Sequence, residues 1–347
     1  MRAVVYETFR GPLTVETVPD PSPSQDGVVI AVRANGICRS DWHGWQGHDA
    51  DIKVLPHIPG HELAGEVVSV GKDVQRWKVG SRVTVPFVLG CGRCEDCAKG
   101  NHQVCAHQYQ PGFTGWGSFA EYVALPYADM NLVQIPEGLD YVSVASLGCR
   151  FATAFRGVVV QGRVRPGEWV AVHGCGGVGL SAIMIAVSMG ALVIAVDVKA
   201  KALDLANSLG AIHTLDARDV PDVAQAIHDL THGGAHVSMD ALGSARTARN
   251  SILGLRRQGR HVQMGLLAGD DADPSLPMGR VIGWELEIYG SHGLQAHAYP
   301  EMLRLIEHRV LDPSRLVTKR AALSDVPDIL AGMTTFGTTG IEVMDHF

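Results

Sequence analysis

Four cysteines in the first third of the chain have a spacing that could hold one metal ion. They follow the pattern C-x2-C-x2-C-x7-C, with glycines interleaved. Thiolates at this spacing can converge on one tetrahedral zinc, and four thiolates leave no open position for a reactant. A bacterial iron–sulfur run starts in the same way, but only three residues precede its fourth cysteine and proline follows it. The pattern therefore favours a structural zinc, over a cluster or unmetallated thiols, at Cys91, Cys94, Cys97 and Cys105.

Three other candidate ligands lie far apart along the sequence. Cys38 and His61 stand in two polar segments, and Cys149 directly precedes the second half of the chain. Taken singly, a cysteine is more often a small apolar core residue, and a histidine a hydrogen-bonding one. Together, two thiolates and one imidazole would hold zinc with an open fourth position, which catalysis requires. We expect the polar segments to be loops on a β scaffold; their other polar side chains are Ser40, Asp41, His43 and Glu62.

A glycine-rich turn joins a strand to a helix in the second half of the chain. An apolar run at 168–173 is followed by Gly174, Gly176, Gly177 and Gly179, and then by apolar residues at helical spacing. Backbone N–H groups at a helix N-terminus can bind a pyrophosphate, which glycine admits because it has no Cβ. A second apolar strand ends in Asp197, about twenty residues further on, where a carboxylate can bind ribose hydroxyls. This order predicts a dinucleotide site; the alternative is a glycine-rich turn in an ordinary α/β domain.

Asp197 also indicates which dinucleotide is bound. Its carboxylate would accept hydrogen bonds from both ribose hydroxyls of NAD and would repel a 2′-phosphate. No arginine follows it closely to compensate. We therefore predict NAD(H).

Composition limits the class of protein. The chain has 347 residues, a net charge of −7 and a pI near 6.1, which argues against a nucleic-acid partner because no clustered basic surface is visible. No window is apolar over the length of a membrane span, and residues 1–10 lack a signal-peptide pattern. We expect a soluble, cytoplasmic protein with no membrane partner, so its seven cysteines need a role other than disulfides.

Two parts of the chain differ in their predicted secondary structure. Short strands separated by glycine and proline are predicted at 27–34, 63–70, 82–87 and 119–125. A helix is predicted over 141–160, and strands then alternate with helices, at 168–173, 191–197, 211–214, 235–240, 260–265 and 286–290. This alternation predicts a doubly wound parallel sheet. A helix at 299–308 and a strand near Ile341 would fit a return to the first domain, giving one domain over 1–150 and 291–347 and another over 151–290.

Taken together, these motifs resemble those of zinc-containing medium-chain alcohol dehydrogenases over nearly the whole chain. The resemblance is carried, in that family's order, by Gly36-Ile-Cys-Arg-Ser-Asp-Trp-His43, Gly60-His-Glu62, the four-cysteine segment, Gly148-Cys149 with Thr153, and Gly174-x-Gly-Gly-Val-Gly179. It implies an α/β fold in which a doubly wound parallel (Rossmann) sheet is inserted in a β-rich GroES-like catalytic domain. It also implies two zinc ions per chain, NAD, a small-molecule alcohol or carbonyl substrate, and a homodimer or homotetramer.

The resemblance assigns roles to individual residues. Cys38, His61 and Cys149 would be ligands of the catalytic zinc, with Glu62 as an alternate ligand and Asp41 orienting His61. Ser40 would take the proton of the substrate hydroxyl and pass it through the cofactor ribose to His43 and then to water. The cofactor would be bound by Arg39, Thr153, Gly174, Gly176, Gly177, Val178, Gly179, Asp197 and Lys201. Aromatic side chains would line the substrate pocket or narrow its mouth, although core packing explains them equally well: Trp42, Trp45, Phe87, Phe113 and Trp116.

The implied activity is reversible hydride transfer between NAD(H) and a primary or secondary alcohol or its aldehyde or ketone. Zinc would lower the pKa of the alcohol by several units, so that an alkoxide can release hydride near neutral pH. Some positions depart from the family: Ala202 replaces a lysine, and the segment 336–340 lacks an arginine that contacts the pyrophosphate.

Three alternatives stay open at this point. The first is a zinc-free quinone or enone reductase of the same superfamily. The second is a polyol dehydrogenase, in which a glutamate usually replaces Cys149 as third ligand. The third is a zinc-ribbon regulator that senses a nucleotide without turnover.

Overall fold

The computed structural model describes residues 1–335 and 338–347. The chain forms two compact units, Met1–Ala152 with Gly293–Phe347, and Thr153–His292. Within the segment noted above for its missing arginine, Phe336 and Gly337 lie outside the described residues.

The strands of the described ranges are, in chain order, β1 (Arg2–Val5), β2 (Thr14–Thr17), β3 (Val28–Ile37), β4 (Glu62–Val70), β5 (Arg82–Thr84), β6 (Tyr122–Leu125), β7 (Val133–Gln134), β8 (Trp169–His173), β9 (Leu192–Asp197), β10 (His213–Asp216), β11 (Ala235–Asp240), β12 (Leu255–Gln263), β13 (Glu287–Gly290), β14 (Val317–Ala322) and β15 (Ile341–His346).

The α-helices are α1 (Arg39–Trp45), α2 (Glu95–Ala98), α3 (Ala128–Asn131), α4 (Tyr141–Ala145), α5 (Ala152–Phe155), α6 (Gly177–Ser188), α7 (Ala200–Ser208), α8 (Val223–Thr231), α9 (Ala245–Leu253), α10 (Met278–Trp284), α11 (Tyr299–Glu307) and α12 (Val326–Gly332). π-Helical turns flank α5 at Leu147–Phe151 and Arg156–Gln161. Short 3-10 helices lie at His102–Val104, Gly269–Asp271, Ala296–Ala298, Pro313–Leu316, Leu323–Asp325 and Met333–Thr335.

The first unit is organised around β3. Every residue of this strand except Arg33 is buried, and the strand pairs antiparallel with β4, β6 and β15. Its apolar side chains join those of neighbouring strands in one core, which includes Ile30, Leu63 and Phe119. A strand buried on both sides is a rigid support for the polar segment that follows it at Cys38.

The second unit contains a six-stranded sheet in the order β10-β9-β8-β11-β12-β13. All neighbouring strands are parallel. Relative to their order in the chain this is 3-2-1-4-5-6, the arrangement of doubly wound dinucleotide-binding sheets. The predicted parallel sheet is confirmed, with each predicted strand overlapping an observed one.

The expected continuous helix over 141–160 is interrupted. Helix α4 ends at Ala145, and the chain continues through the two π-helical turns around α5. Single π-turns inside helices are frequent at functional sites because they change which side chains face one direction. Cys149 lies in the first of these turns.

Glu62, which was expected in a loop, is the first residue of β4. The expectation that Ser40, Asp41 and His43 stand in a loop is also wrong. These residues form α1, and Cys38 is the residue before it. The Asp41 carboxylate accepts a hydrogen bond from the Cys38 backbone N–H at 3.1 Å, which stabilises the helix N-terminus in a way that apolar periodicity does not reveal.

None of the helices in the described ranges combines the length and the apolar composition needed to cross a bilayer.

Candidate active site

The predicted ligands of a catalytic metal lie together in the first unit. Cys38, His61, Glu62 and Cys149 each offer one ligand atom, and these atoms lie within 4.8 Å of one another. They come from three places: the start of α1, the start of β4, and the π-helical turn at Leu147–Phe151. The fold therefore converts three separate sequence segments into one compact donor set.

Asp41 connects two of these segments. Its buried carboxylate accepts hydrogen bonds from the backbone N–H groups of Cys38 at 3.1 Å and Gly60 at 3.0 Å. The same carboxylate lies 2.8 Å from Nδ1 of His61. Because a carboxylate can only accept, Nδ1 carries the proton and Nε2 keeps its lone pair. Nε2 is buried and has no hydrogen-bond partner among the described residues.

Gly60 allows the chain to turn sharply before His61. Its φ is +107°, and a Cβ on this residue would lie 2.5 Å from the backbone nitrogen of Phe119. Both the left-handed backbone and the lack of space require glycine here. The position of His61 thus depends on a residue that makes no contribution to the chemistry.

Glu62 is held by Arg150, a residue that the sequence reasoning missed. The Arg150 Nε donates to both carboxylate oxygens, at 3.2 and 3.1 Å, and the Arg150 backbone N–H donates to Oε1 at 2.9 Å. Burial raises the pKa of the Glu62 carboxyl, and the guanidinium opposes that shift. Glu62 must leave this ion pair before it can become a metal ligand. The only feature of the sequence that could have pointed to Arg150 is its position directly after Cys149.

The sulfurs and the imidazole influence one another's protonation. A hydrogen bond from Cys149 holds the pKa of the Cys38 thiol well below its usual value, with help from Arg150. The same hydrogen bond, together with burial, raises the pKa of Cys149. Burial opposes protonation of His61, but Asp41 and Cys38 raise its pKa. The groups thus compete for protons that a bound cation would release.

This donor set fits zinc. Two thiolate sulfurs and one neutral imidazole nitrogen are typical ligands of a catalytic zinc with an open position. The buried Nε2 of His61 has no hydrogen-bond partner among the described residues, and a bound metal would satisfy it. A carboxylate on the other ring nitrogen is the usual support of a zinc-bound histidine.

The four clustered cysteines form a second donor set in the first unit. Their sulfurs lie within 4.8 Å of one another. Backbone N–H groups point at these sulfurs: Cys91 to Cys105 at 3.4 Å, Cys97 to Cys94 at 3.5 Å, and His107 to Cys105 at 3.3 Å. Such bonds stabilise thiolates, so the donor set fits a zinc with four sulfur ligands.

The two predicted proton-relay residues stand on α1. The Oγ of Ser40 lies 3.7 Å from the Cys38 sulfur. Burial, with smaller contributions from the charges of Arg39 and His48, lowers the pKa of His43 to about 4. His48 is a second residue that sequence reasoning missed: its Nδ1 lies 3.1 Å from Nδ1 of His43. The only feature of the sequence that could have pointed to His48 is Gly47, a residue type that commonly follows the end of a helix and lies between the two histidines.

Two of the predicted pocket aromatics lie beside His61, one of the candidate metal ligands. The rings of Phe87 and Phe113 are 6.0 and 5.2 Å from the imidazole ring of His61. Trp45 and Trp116 instead donate their indole N–H groups to backbone carbonyls, of Gly11 at 2.9 Å and Pro56 at 3.2 Å. The structure therefore brings Phe87 and Phe113 to the site and gives the two tryptophans structural hydrogen bonds.

The glycine-rich loop of the second unit has the three features of a dinucleotide turn. Gly174 has a φ of +92°, which allows the tight turn after β8. A Cβ on Gly176 would meet nothing within 4 Å, so there is open space at the start of α6. A Cβ on Gly179 would lie 1.8 Å from the carbonyl oxygen of Gly174, so helix and strand pack too closely for any side chain. These are the three functions that the motif needs. The loop thus provides a cradle that fits a pyrophosphate.

Asp197 lies at the end of β9 beside this loop. One carboxylate oxygen accepts from the Cys175 N–H at 2.6 Å, and the other accepts from Val198 at 2.7 Å and Lys199 at 2.9 Å. These bonds fix the orientation of the carboxylate.

The other cofactor candidates differ in their surroundings. Arg39 donates to the carbonyl of Met333 at 2.6 Å and lies 4.3 Å above the Trp42 ring, so its guanidinium is engaged within the first unit. The carbonyl of Thr153 accepts from Ser291 at 3.1 Å. Val178 lies in the first turn of α6, and Lys201 is exposed in the first turn of α7.

Comparisons with known families agree with this geometry. Residues 24–137 match the alcohol dehydrogenase GroES-like domain, and residues 177–308 match the zinc-binding dehydrogenase domain. A GroES-like domain combined with a doubly wound parallel sheet defines a medium-chain dehydrogenase/reductase, an oxidoreductase class, and confirms the expected fold.

Individual relatives narrow the class. An alcohol dehydrogenase of Geobacillus stearothermophilus is 37% identical over 280 residues, which are 80% of this chain and 80% of that protein. The crystal structure of an NAD-dependent alcohol dehydrogenase is 30% identical, with a TM-score of 0.89 over 100% of both chains. A protein from Sinorhizobium meliloti 1021, bound to NADP, is 28% identical, with a TM-score of 0.88 over 99% of this chain and 98% of that one. The chain belongs to the zinc-containing medium-chain alcohol dehydrogenase family.

Proposed function

We propose that this protein is a zinc-dependent alcohol dehydrogenase that transfers hydride reversibly between NAD(H) and a primary or secondary alcohol or the matching aldehyde or ketone. The observation that carries the proposal is the convergence of Cys38, His61 and Cys149 on a common point, within 4.8 Å. The unpartnered Nε2 of His61 supports it. So does kinship with a Geobacillus alcohol dehydrogenase.

The protein residues hold and orient the metal. Cys38, His61 and Cys149 would be its ligands, and Asp41 keeps His61 in the tautomer whose Nε2 is free to bind. A zinc ion bound there would supply Lewis-acid chemistry, which lowers the pKa of an alcohol and polarises a carbonyl. The Glu62–Arg150 ion pair lies beside the ligands, and Glu62 is proposed as an alternate ligand when that pair opens.

The proton of the substrate hydroxyl is handled by α1. We assign Ser40 as its first acceptor, because its Oγ lies beside the Cys38 sulfur. His43 stands three residues further along the helix and shares a face with Ser40. His43 is neutral near pH 7, since burial lowers its pKa to about 4, and it can therefore accept a proton.

The second unit is proposed to bind NAD. The N-terminus of α6 would bind the pyrophosphate, and Asp197 would bind the ribose hydroxyls. The nicotinamide would carry the hydride. Arg39, Thr153, Val178 and Lys201 remain candidates for further cofactor contacts, with Arg39 having to leave the carbonyl of Met333 to make one.

The aromatic rings beside His61 favour an apolar substrate. Phe87 and Phe113 both pack near the imidazole ring, and such rings bind apolar or aromatic groups. The four-cysteine set would hold a second, structural zinc. By family kinship we propose a homodimer or homotetramer in the cytoplasm.

A panel of alcohols and carbonyl compounds with NAD and NADP, on protein of measured zinc content, tests the proposal. We expect two zinc ions per chain and alcohol-dependent NADH formation. Cys38→Ser should lose one zinc and the activity, whereas Cys175→Ser, which changes a cysteine outside both donor sets, should keep two. Zinc-free protein that reduces quinones or enones would support the reductase alternative, and selective oxidation of polyols would support the polyol alternative. Nucleotide binding without turnover on any substrate would support a regulator.

A further inference from the structure

Helix α1 ends in a backbone turn that brings His43 and His48 together. The N–H of Gly47 donates to the carbonyl of Gly44 at 2.9 Å, and the N–H of His48 donates to the carbonyl of His43 at 3.0 Å. Gly47 between them is left-handed, with a φ of +78°. These features define a Schellman motif, in which the side chains at the positions of His43 and His48 commonly contact each other. In most proteins that contact is apolar, and here both side chains are imidazoles.

The two imidazoles are joined by a hydrogen bond. Their Nδ1 atoms lie 3.1 Å apart, and the Trp42 ring packs edge-on against both, at 4.9 and 5.7 Å. An Nδ1–Nδ1 contact at this distance requires one ring to donate and the other to accept. His43 is partly buried and His48 is exposed. The pair therefore leads from the interior of the site to the solvent.

We propose that His48 is the outer station of the proton relay, exchanging protons between His43 and the solvent. The proposal rests on the proposed alcohol dehydrogenase function, in which His43 receives one proton for each alcohol oxidised. His48 acts through His43, so it is a relay and positioning residue.

The transfer balances in protons. In alcohol oxidation a proton arrives at Nε2 of His43, whose Nδ1–H is donated to Nδ1 of His48. The Nδ1–H bond of His43 breaks as the Nδ1–H bond of His48 forms, and the Nε2 proton of His48 passes to a solvent base. Both rings then hold the opposite tautomer and return by ring rotation and proton exchange with solvent. Carbonyl reduction runs the same transfers in reverse, and no further reactant is needed.

His43 needs such an acceptor because it cannot keep a proton near neutral pH. Its pKa is lowered to about 4, mainly by burial and also by the charges of Arg39 and His48, while Cys38 opposes the shift. A group that is protonated only briefly releases its proton fastest along an existing hydrogen bond. Such a hydrogen bond joins the His43 ring to His48.

Histidine NMR on the purified protein without coenzyme or substrate tests the contact directly. In ¹⁵N-histidine-labelled wild type, we expect the Nδ1 signal of His43 to move as His48 titrates. In His48→Gln the midpoint of His43 should rise, because a neighbouring positive charge is removed. A His43 signal that ignores the titration of His48, and is unchanged in the variant, would overturn the proposal.

Steady-state kinetics test the relay itself. At low buffer concentration we expect His48→Gln to lower kcat about tenfold and to change KM by less than about twofold. The decrease in kcat is smaller than the usual effect of losing a general acid or base. Added imidazole should restore the rate of this variant and leave the wild type unchanged. A merely structural role would lower the rate equally at every buffer concentration. His308→Gln, an exposed histidine directly after α11, is the matched control and should behave as wild type.

The outcomes separate the two proposals. If wild type oxidises alcohols and His48→Gln matches it at every buffer concentration, the relay proposal is wrong and the proposed function stands. If His48→Gln is slower but imidazole does not restore it, His48 is structural and the relay proposal is again wrong. Wild type that oxidises no alcohol with either coenzyme would overturn both.

Discussion

Oδ1 of Asp41 lies 2.8 Å from Nδ1 of His61, and neither side chain is exposed to solvent. The same carboxylate accepts hydrogen bonds from the N–H groups of Cys38 and Gly60. One buried residue therefore fixes the tautomer of His61 and the backbone at Cys38. Because both are proposed zinc ligands, metal affinity should depend on a side chain that is not itself a ligand.

Asp41→Asn should weaken zinc binding at the catalytic site by about 10–100-fold. The asparagine side chain accepts hydrogen bonds only at its carbonyl oxygen. Its NH2 group would therefore face a backbone N–H group whose hydrogen bond the carboxylate accepts in the wild type. Competition with a chromogenic chelator would measure the effect, and Asp328→Asn, an exposed position on α12, is the matched control. Equal zinc affinity in Asp41→Asn and wild type would refute the orienting role.

Ser40→Ala should keep two zinc ions per chain and lower turnover by about 10²–10⁴-fold, the usual range for losing a group that transfers a proton. Ser40→Thr keeps the hydroxyl and should retain most of the rate. Ser324→Ala, exposed in the first unit, controls for a general effect of losing a hydroxyl. Turnover of Ser40→Ala at the wild-type rate would rule out Ser40 as first proton acceptor.

Local patterns were sufficient to predict the parallel sheet and the four-cysteine donor set. The sheet follows from apolar runs alternating with helical spacing, as at β8 and β9, and the glycine positions follow from steric limits that act within a few residues. Convergence of Cys38 and His61 with Cys149 was suggested by their residue types and polar surroundings and by the resemblance. No local spacing links residues that far apart.

What escaped sequence reasoning was decided by tertiary contacts. Helix α1 is short and depends on the Asp41 carboxylate and the turn at Gly47 rather than on apolar periodicity. Arg150 gained its role because the π-helical turn points it at Glu62. β14 has three exposed residues in a row, Thr318 to Arg320, so no apolar alternation marks it as a strand, and it is held by its pairing with β15.

Cys94→Ser should reduce the zinc content from two ions per chain to one and lower thermal stability. Structural zinc contributes folding free energy directly, because its ligands converge only in the folded state. Zinc analysis, a melting curve and amide hydrogen exchange over 91–105 would measure this, and exchange should become faster in that segment. A variant that keeps both ions would show that Cys94 is not a ligand.

Asp197→Ala should reduce the preference for NAD over NADP by about 10–100-fold in kcat/KM, because it removes a negative charge that repels the 2′-phosphate. The change also removes three hydrogen bonds to the loop backbone, so a small loss of thermal stability is expected with both coenzymes. Asp216→Asn, at the end of the neighbouring strand β10, is the matched control. Wild type that prefers NADP would show that Asp197 does not select the coenzyme.

Stability of the second unit should fall as the pH drops from 7 towards 4, because two buried histidines there must stay neutral. Burial lowers the pKa of His173 and of His261 to about 4, against about 6.5 in an unfolded chain. Between these values the unfolded chain binds more protons than the folded one, so the free energy of unfolding rises with pH and is lost on acidification. The loss would reach about 3 kcal/mol per histidine once the pH is below both values.

Burial is the main reason why His261 resists protonation, and its hydrogen bond with Ser251 acts in the same direction. The Gln263 side chain donates to Asp240 at 2.8 Å, so its carbonyl oxygen lies 3.2 Å from Nε2 of His261 and must accept. Nε2 then carries the proton, and Nδ1 accepts from the Ser251 hydroxyl at 2.8 Å. A second proton on Nδ1 would need Ser251 to reverse its hydrogen bond.

His261→Gln should therefore remove part of the acid destabilisation, which urea unfolding at several pH values would measure as a difference from wild type. Zinc loss at low pH affects both proteins alike and cancels in that difference, and a difference that does not change with pH would show that His261 is not one of the groups responsible.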